Sequence, residues 1–274
     1  MTGADTGLPR VVLMCHAEDS IDREGLAAWL ASSFDLAGLV VIHEGRRAKL
    51  RRARREVRRV GFWRFLDVLA FRVYYRLRLA RRDRTWIART VEALRRRYPT
   101  AFDDVPRLDV VQVNTGEVER FLRSLQPVLL IARCKVILEP RIFDIASQGT
   151  FVLHPGICPE YRNAHGCFWA LANRDLDRVG MTLLRVDAGI DTGPVYLQAA
   201  CAFDELRESH VVIQYRAVLD NLEAVAATVR AVCHGAAEPL ALNGRRSATW
   251  GQPWLSAHLK WKRAARAQWR RSCA

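Results

Sequence analysis

Apolar residues in this chain fall into short continuous runs separated by stretches that repeat every three or four positions. Val11–Cys15 and Leu39–Ile42 are runs of the first kind. Between them Ile21 to Phe34 has helical spacing and begins behind Asp19-Ser20, a helix-start signal, so the segment predicts a β-α-β unit. Asp109–Val113 predicts a third strand, Glu117 to Leu125 a helix, and Val128–Ala132 a fourth strand. A short helical turn (Ile142–Ser147), a strand (Phe151–His154), a helix (Gly166–Asn173) and a strand (Met181–Val186) complete the alternation. Strands that are apolar throughout are covered on both faces, which predicts an α/β protein with a mainly parallel sheet. Ligands of such sheets sit beyond the carboxyl ends of the strands. His154 stands at one such end, and Asp187 and Asp191 lie just past another.

One segment breaks the rhythm. Over 46–99, Phe62, Phe65/Leu66, Leu69, Val73 and Leu77 recur at helical steps among arginines, so a basic helical insertion is expected between strands two and three. From Ser209 onward, His210 to His234 reads as one long helix ended by Gly235. A terminus carrying Trp250, Trp254, Trp261 and Trp269 follows. The chain therefore divides into an α/β body over 1–205, carrying the insertion 46–99, and a helical, basic, Trp-rich extension over 206–274.

Charge changes the picture by its placement. The net charge is +14 over 274 residues, yet 46–99 alone holds 20 Lys/Arg against four acids, and 245–274 holds eight against none. The body is thus mildly acidic, and the basic surface binds something other than what the body's chemistry acts on. That surface admits three readings: a solvated face of a packed helix, contact with an anionic membrane surface, or contact with nucleic acid. No apolar stretch is long enough to span a bilayer, and the first residues lack a signal-peptide pattern. Seven cysteines, an odd number without a C-x-x-C pair, fit a reducing compartment. A cytoplasmic location is expected, with peripheral placement on the inner membrane face if the lipid reading holds. His154, Cys158, His165 and Cys167 match no standard zinc spacing, so no metal is expected, and both thiols are expected to pack.

The informative stretch is GTFVLHPGICPEYRNAHGCFWALANRDLDRVGMTLLRVDAGIDTGPVYLQ, residues 149–198. Its His154, Pro159-Glu160-Tyr161-Arg162, Trp169-Ala170-Leu171, Gly180-Met181-Thr182 and Asp187-Ala188-Gly189-Ile190-Asp191-Thr192-Gly193 occur in an ordered series. The series resembles the tetrahydrofolate-dependent formyltransferases, the group that includes glycinamide-ribonucleotide, methionyl-tRNA and sugar N-formyltransferases. The resemblance is strong over 149–198, moderate over 108–148 and weak over 11–45.

The resemblance implies a Rossmann-like sheet and formyl transfer from 10-formyltetrahydrofolate to an amine. His154 would serve the oxyanion or act as acid/base, and Asp191 would orient it and relay the amine's proton. Val136, Ile137 and Leu138, with Asp187, Gly189 and Ile190, would form the folate side. Tyr161 and Arg162 would either position the substrate or pack and cap the loop. The family has an asparagine two residues before the histidine, and this chain has Val152. Loss of one oxyanion donor costs on the order of 10²–10³ in rate, so Asn163 or His165 is expected to supply a replacement contact. The acceptor expected is a small-molecule amine, such as an amino sugar or another envelope or natural-product precursor. tRNA is disfavoured, because 206–274 reads as helix rather than as a β-rich tRNA-binding domain. The alternatives are a related one-carbon or carbamoyl transfer, hydrolysis of formylfolate, or a non-catalytic membrane-associated protein on the same fold.

Overall fold

The computed structural model describes residues 7–273, without the side chains of 46–50 and 52, so most of the polar lead-in lies outside the described residues. β1 (Arg10–His16) and β2 (Asp35–Ile42) are joined by a wide helical turn over Ile21–Leu26 that continues as α1 (Ala27–Ser33). The insertion folds as α2 (Arg46–Val60), α3 (Phe62–Arg78) and α4 (Ala80–Arg97). β3 (Arg107–Val110), α5 (Gly116–Leu125), β4 (Leu129–Arg133), α6 (Pro140–Phe143) and β5 (Thr150–His154) follow. Then come β6 (Arg162–Asn163), α7 (Gly166–Ala172), β7 (Gly180–Arg185) and β8 (Val195–Ala200). The chain continues with α8 (His210–Leu219), α9 (Leu222–Cys233), β9 (Thr249–Trp250) and α10 (Leu255–Ser272).

The main sheet has the order β3-β2-β1-β4-β5-β7-β8. It is parallel from β3 through β5 and antiparallel at β7 and β8. Alternate residues of β1 feed two cores: Val11, Leu13 and Cys15 face one layer, and Val12 and Met14 face α5 and α6. That two-sided burial is why the strand reads as an unbroken apolar run.

Three local features depart from the sequence reading. The helix expected over 210–234 is two, broken at Asp220-Asn221, where the Asn221 amide donates to the carbonyls of Ala217 (2.9 Å) and Ala200 (3.0 Å). Such side-chain bonds to main chain compete with helix continuation. β8 carries polar and half-buried positions and gave no apolar run to read. The extension also adds a two-stranded sheet, β6 with β9, pairing Arg162 with Thr249 and Asn163 with Trp250.

The insertion packs onto the body along α3 and α4. α4 presses on the turn after β1, where a Cβ at Gly25 would sit 2.5 Å from Leu94 Cδ1, so a larger residue there would have to turn that leucine aside. α3 buries Val68 and Phe71, the latter 5.7 Å from Phe168 between ring centroids.

Candidate active site

β5 ends at His154, which is 4% exposed. Its Nε2 lies 2.7 Å from the Tyr161 carbonyl oxygen. A carbonyl can only accept, so Nε2 carries the hydrogen and donates. Nδ1 faces Asp191 Oδ2 at 3.5 Å. The imidazole and carboxylate singled out from the motif order therefore meet. Asp191 is the more accessible partner, its side chain 15% exposed against 5% for His154.

The loop around this pair is fixed by short-range steric and polar constraints. A Cβ at Gly156 would lie 2.8 Å from the Tyr161 oxygen and 2.9 Å from His154 Nε2, so glycine is what lets the Tyr161 carbonyl reach the ring. Thr182 Oγ1 donates to the Gly156 carbonyl at 2.7 Å and accepts from the Cys158 N–H at 3.0 Å, clamping the loop to β7. From β4, Arg133 donates to the Leu153 carbonyl through Nη1 and pairs with buried Asp22 at 3.0 Å through Nε. Thr182 and Arg133 were absent from the sequence-derived site. The legible signal for Arg133 was a cation ending an otherwise apolar strand.

The two residues expected to replace the missing amide are placed differently from that expectation. Asn163 comes to the pair through its main chain: its N–H donates to Asp191 Oδ2 at 2.7 Å, while its side-chain amide donates to the Trp250 carbonyl at 2.5 Å. Its φ is +75°, a left-handed conformation that asparagine tolerates far better than most residues. The backbone thus accounts for an asparagine at this position. The His165 ring is turned toward α8, 5.8 Å from the His210 ring, and burial, with Lys135 nearby, holds it down at about 4. Neither side chain takes the place left by Val152, which packs with both cores beside it.

The remaining residues divide by role. The Tyr161 ring stacks on Trp250, 5.7 Å between centroids, and its hydroxyl donates to Asp175 Oδ2 at 3.0 Å. Burial raises that hydroxyl to about 12. The ring thus packs against the extension, and what Tyr161 brings to the pair is its carbonyl. Arg162 donates to the Ile190 carbonyl at 3.0 Å and to Thr249 Oγ1 at 3.2 Å, holding the Asp191 loop against the extension.

On the expected folate side, Val136, Ile137 and Ile190 are 36, 55 and 40% exposed. Leu138 is buried in the core. Asp187 Oδ1 accepts from Gly189 N (2.9 Å) and Thr192 Oγ1 (2.7 Å), shaping its own loop. Asn114 pins the 136–139 segment, donating to the Ile137 carbonyl at 2.9 Å and accepting from Glu139 N at 3.0 Å. Burial, then the Asp191 charge, pushes the Cys158 thiol far up, which disfavours the thiolate a nucleophile needs. Among the described residues no His/Cys/Asp/Glu group is arranged to hold a metal.

A mainly parallel α/β sheet brings a buried imidazole and a carboxylate together at its carboxyl edge, an arrangement suited to acid/base chemistry. The family model described as formyl transferase matches residues 88–229, more than half of the chain, and the chain belongs to that family. Among curated proteins it is 28% identical over 127 residues to methionyl-tRNA formyltransferase of Thermotoga maritima, covering 44% of this chain and 40% of that one. It is 31% identical over 137 residues to the same enzyme of Anaeromyxobacter dehalogenans, covering 50% and 43%. The chain thus spans less than half the length of these curated relatives.

Among solved structures, phosphoribosylglycinamide formyltransferase of Anaplasma phagocytophilum superposes with a TM-score of 0.54 at 14% identity, over 90% of this chain and 100% of that one. A sugar N-formyltransferase of a Shewanella species gives 0.52 at 11% identity, over 93% and 87%. These likenesses establish the Rossmann-like fold.

Proposed function

We propose that this chain transfers the formyl group of 10-formyltetrahydrofolate to the amine of a small molecule, an amino sugar or a related envelope or natural-product precursor. The observation that carries the proposal is the approach of His154 Nδ1 to Asp191 Oδ2, 3.5 Å, at the carboxyl edge of the sheet.

The donor fits the residues present. Val136, Ile137 and Ile190 leave apolar surface uncovered on the two loops that would hold it, and Asn114 keeps one of those loops in place. The bound donor supplies a formyl carbon carried on nitrogen, open to attack by an amine.

His154 donates from Nε2 to the Tyr161 carbonyl, so it serves the oxygen on which negative charge develops as the doubly protonated ring, donating from Nδ1 with the Asp191 carboxylate beside it. Asp191 orients the ring and accepts the proton that the attacking nitrogen loses, directly or through water. That proton then goes to the departing nitrogen as the tetrahedral centre collapses. The N–H of Asn163 keeps the carboxylate where both tasks are served.

A small acceptor is supported by the extension. As far as Cys273 it folds back on the body through β9 and α10 as helices and a short strand. A second reading, hydrolysis of the donor or transfer of a carbamoyl-like group, is favoured by one observation, Val152 in place of the amide donor.

The test is turnover of 10-formyltetrahydrofolate with a panel of amino sugars and, separately, with methionyl-tRNA. Amine-dependent release of tetrahydrofolate with a formylated sugar is expected. Release without an amine would establish hydrolysis, formylation of the tRNA alone would reassign the acceptor, and folate binding without turnover would leave a non-catalytic protein.

A further inference from the structure

α3 buries one face and leaves an apolar face bare. Val68 and Phe71 are buried against the body, the latter beside Phe168, His210 and His258. On the far side Phe62, Leu66, Leu69, Val73 and Leu77 are 60, 41, 38, 59 and 75% exposed. At about 100° per residue these five fall within an arc of about 80° running about 22 Å along the helix. Trp63, at its edge, is 81% exposed. Scattered surface leucines are ordinary, but a continuous row of six large apolar side chains marks an interaction face.

The charge around this row is of one sign. Arg51, Arg54, Arg55 and Arg58 of α2 and Arg72, Arg76 and Arg78 of α3 are exposed. All four acids of the insertion are engaged elsewhere. Glu56 accepts from Arg59 (2.6 Å), Asp67 from Ser256 N (3.0 Å) and Asp83 from Ser209 Oγ (2.7 Å), and Glu92 pairs with Arg96. The outward arginines therefore keep their charge for a partner.

We propose that α3 is an interfacial helix that seats this chain on an anionic lipid bilayer, with Phe62, Trp63, Leu66, Leu69, Val73 and Leu77 at the headgroup–acyl boundary and the arginines on the anionic headgroups. Apolar burial and attraction to anionic lipid act together in such helices. A second copy of the chain is the wrong partner, since two such faces would bring like charges together. Nucleic acid would use the arginines and leave the leucine and valine row without a counterpart.

The experiment is co-sedimentation of the full chain with phosphatidylcholine vesicles, with or without about 30% phosphatidylserine. Binding is expected only to the anionic vesicles, and weaker in high salt. The triple variant Leu66→Ser, Val73→Ser, Leu77→Ser changes exposed residues only, so it should melt like the native chain while binding at least about tenfold more weakly. Arg72→Gln with Arg76→Gln should weaken binding and reduce its salt dependence. Absence of binding to anionic vesicles would overturn the proposal. So would equal binding by the triple variant, concentration-dependent dimerisation lost in that variant, or displacement from vesicles by tRNA with the triple variant unaffected.

Discussion

Asn163 donates its main-chain N–H to Asp191 Oδ2 at 2.7 Å, the same oxygen that stands 3.5 Å from His154 Nδ1. The carboxylate is thus set between an amide that fixes it and an imidazole that it orients, and both Asn163 and Asp191 adopt positive φ, +75° and +51°, to make this possible. Backbone strain at a site persists only where surrounding contacts over-determine it. Here the contacts are β6 pairing with β9 and the bond from Asn163 Nδ2 to Trp250.

If the N–H and not the amide of Asn163 serves the site, Asn163→Gly keeps the rate within about threefold of native, because glycine accepts this φ freely. Asn163→Val, forced into the left-handed region, costs about 1–2 kcal/mol and displaces Asp191. Melting temperature and turnover measured on both variants check this pair of outcomes.

Asp191→Asn retains shape and loses the proton acceptor. Turnover is expected to fall about 10²–10⁴-fold with the fold unchanged. A rate within a few-fold of native would remove Asp191 from the chemistry.

Val152 stands two residues before His154, where the resemblance implies an amide that donates to the oxyanion. Val152→Asn is expected to raise formyl transfer, by up to about 10² if the amide reaches the developing charge. Enhanced hydrolysis without transfer would favour the second reading instead.

His165, His210 and His258 form a row beneath α3, and burial holds each below its ordinary 6.5, to about 4 for His165 and His258. Lys135, Arg72, Lys262 and Arg266 act in the same direction, each disfavouring charge on one or more of the three rings. As pH falls through this window the unfolded chain takes up protons before the folded one, so stability rises with pH and is lost on acidification. His258→Phe, set among Phe71, Tyr74 and Trp261, removes one titrating group. The fall in melting temperature between about pH 7 and about pH 5 should therefore be smaller in the variant than in the native chain.

Arg245 grips Glu160 with two bonds, 2.8 and 2.6 Å, tying the extension to the loop that carries Tyr161. Burial pushes the Glu160 carboxyl up, but the bonds from Arg245 more than offset this and hold it below its ordinary range. The stabilisation is present above the ordinary glutamate value and is lost as pH falls through the lowered one. Arg245→Met leaves the carboxylate with Arg178 alone, its Nε 3.5 Å away, and is expected to cost about 1–3 kcal/mol at neutral pH, a difference that denaturant melts should show shrinking in acid.

Residue identity along the chain was enough for most of the elements and for the pair. Unbroken apolar runs marked most of the strands because both faces of the sheet are covered. His154 and Asp191 were legible because side-chain identity marks them and they sit in an ordered series. What only tertiary structure decided was everything carried by main chain or by distant neighbours. The Tyr161 carbonyl and the Asn163 N–H are groups nearly every residue possesses, so no letter of the sequence marks them. The turning of Asn163's amide to Trp250, 87 positions away, follows from β9 pairing with β6, a contact that local patterning does not encode. The helix break at Asn221 and the outward turn of α3's second apolar face likewise follow from what each face meets when the chain closes.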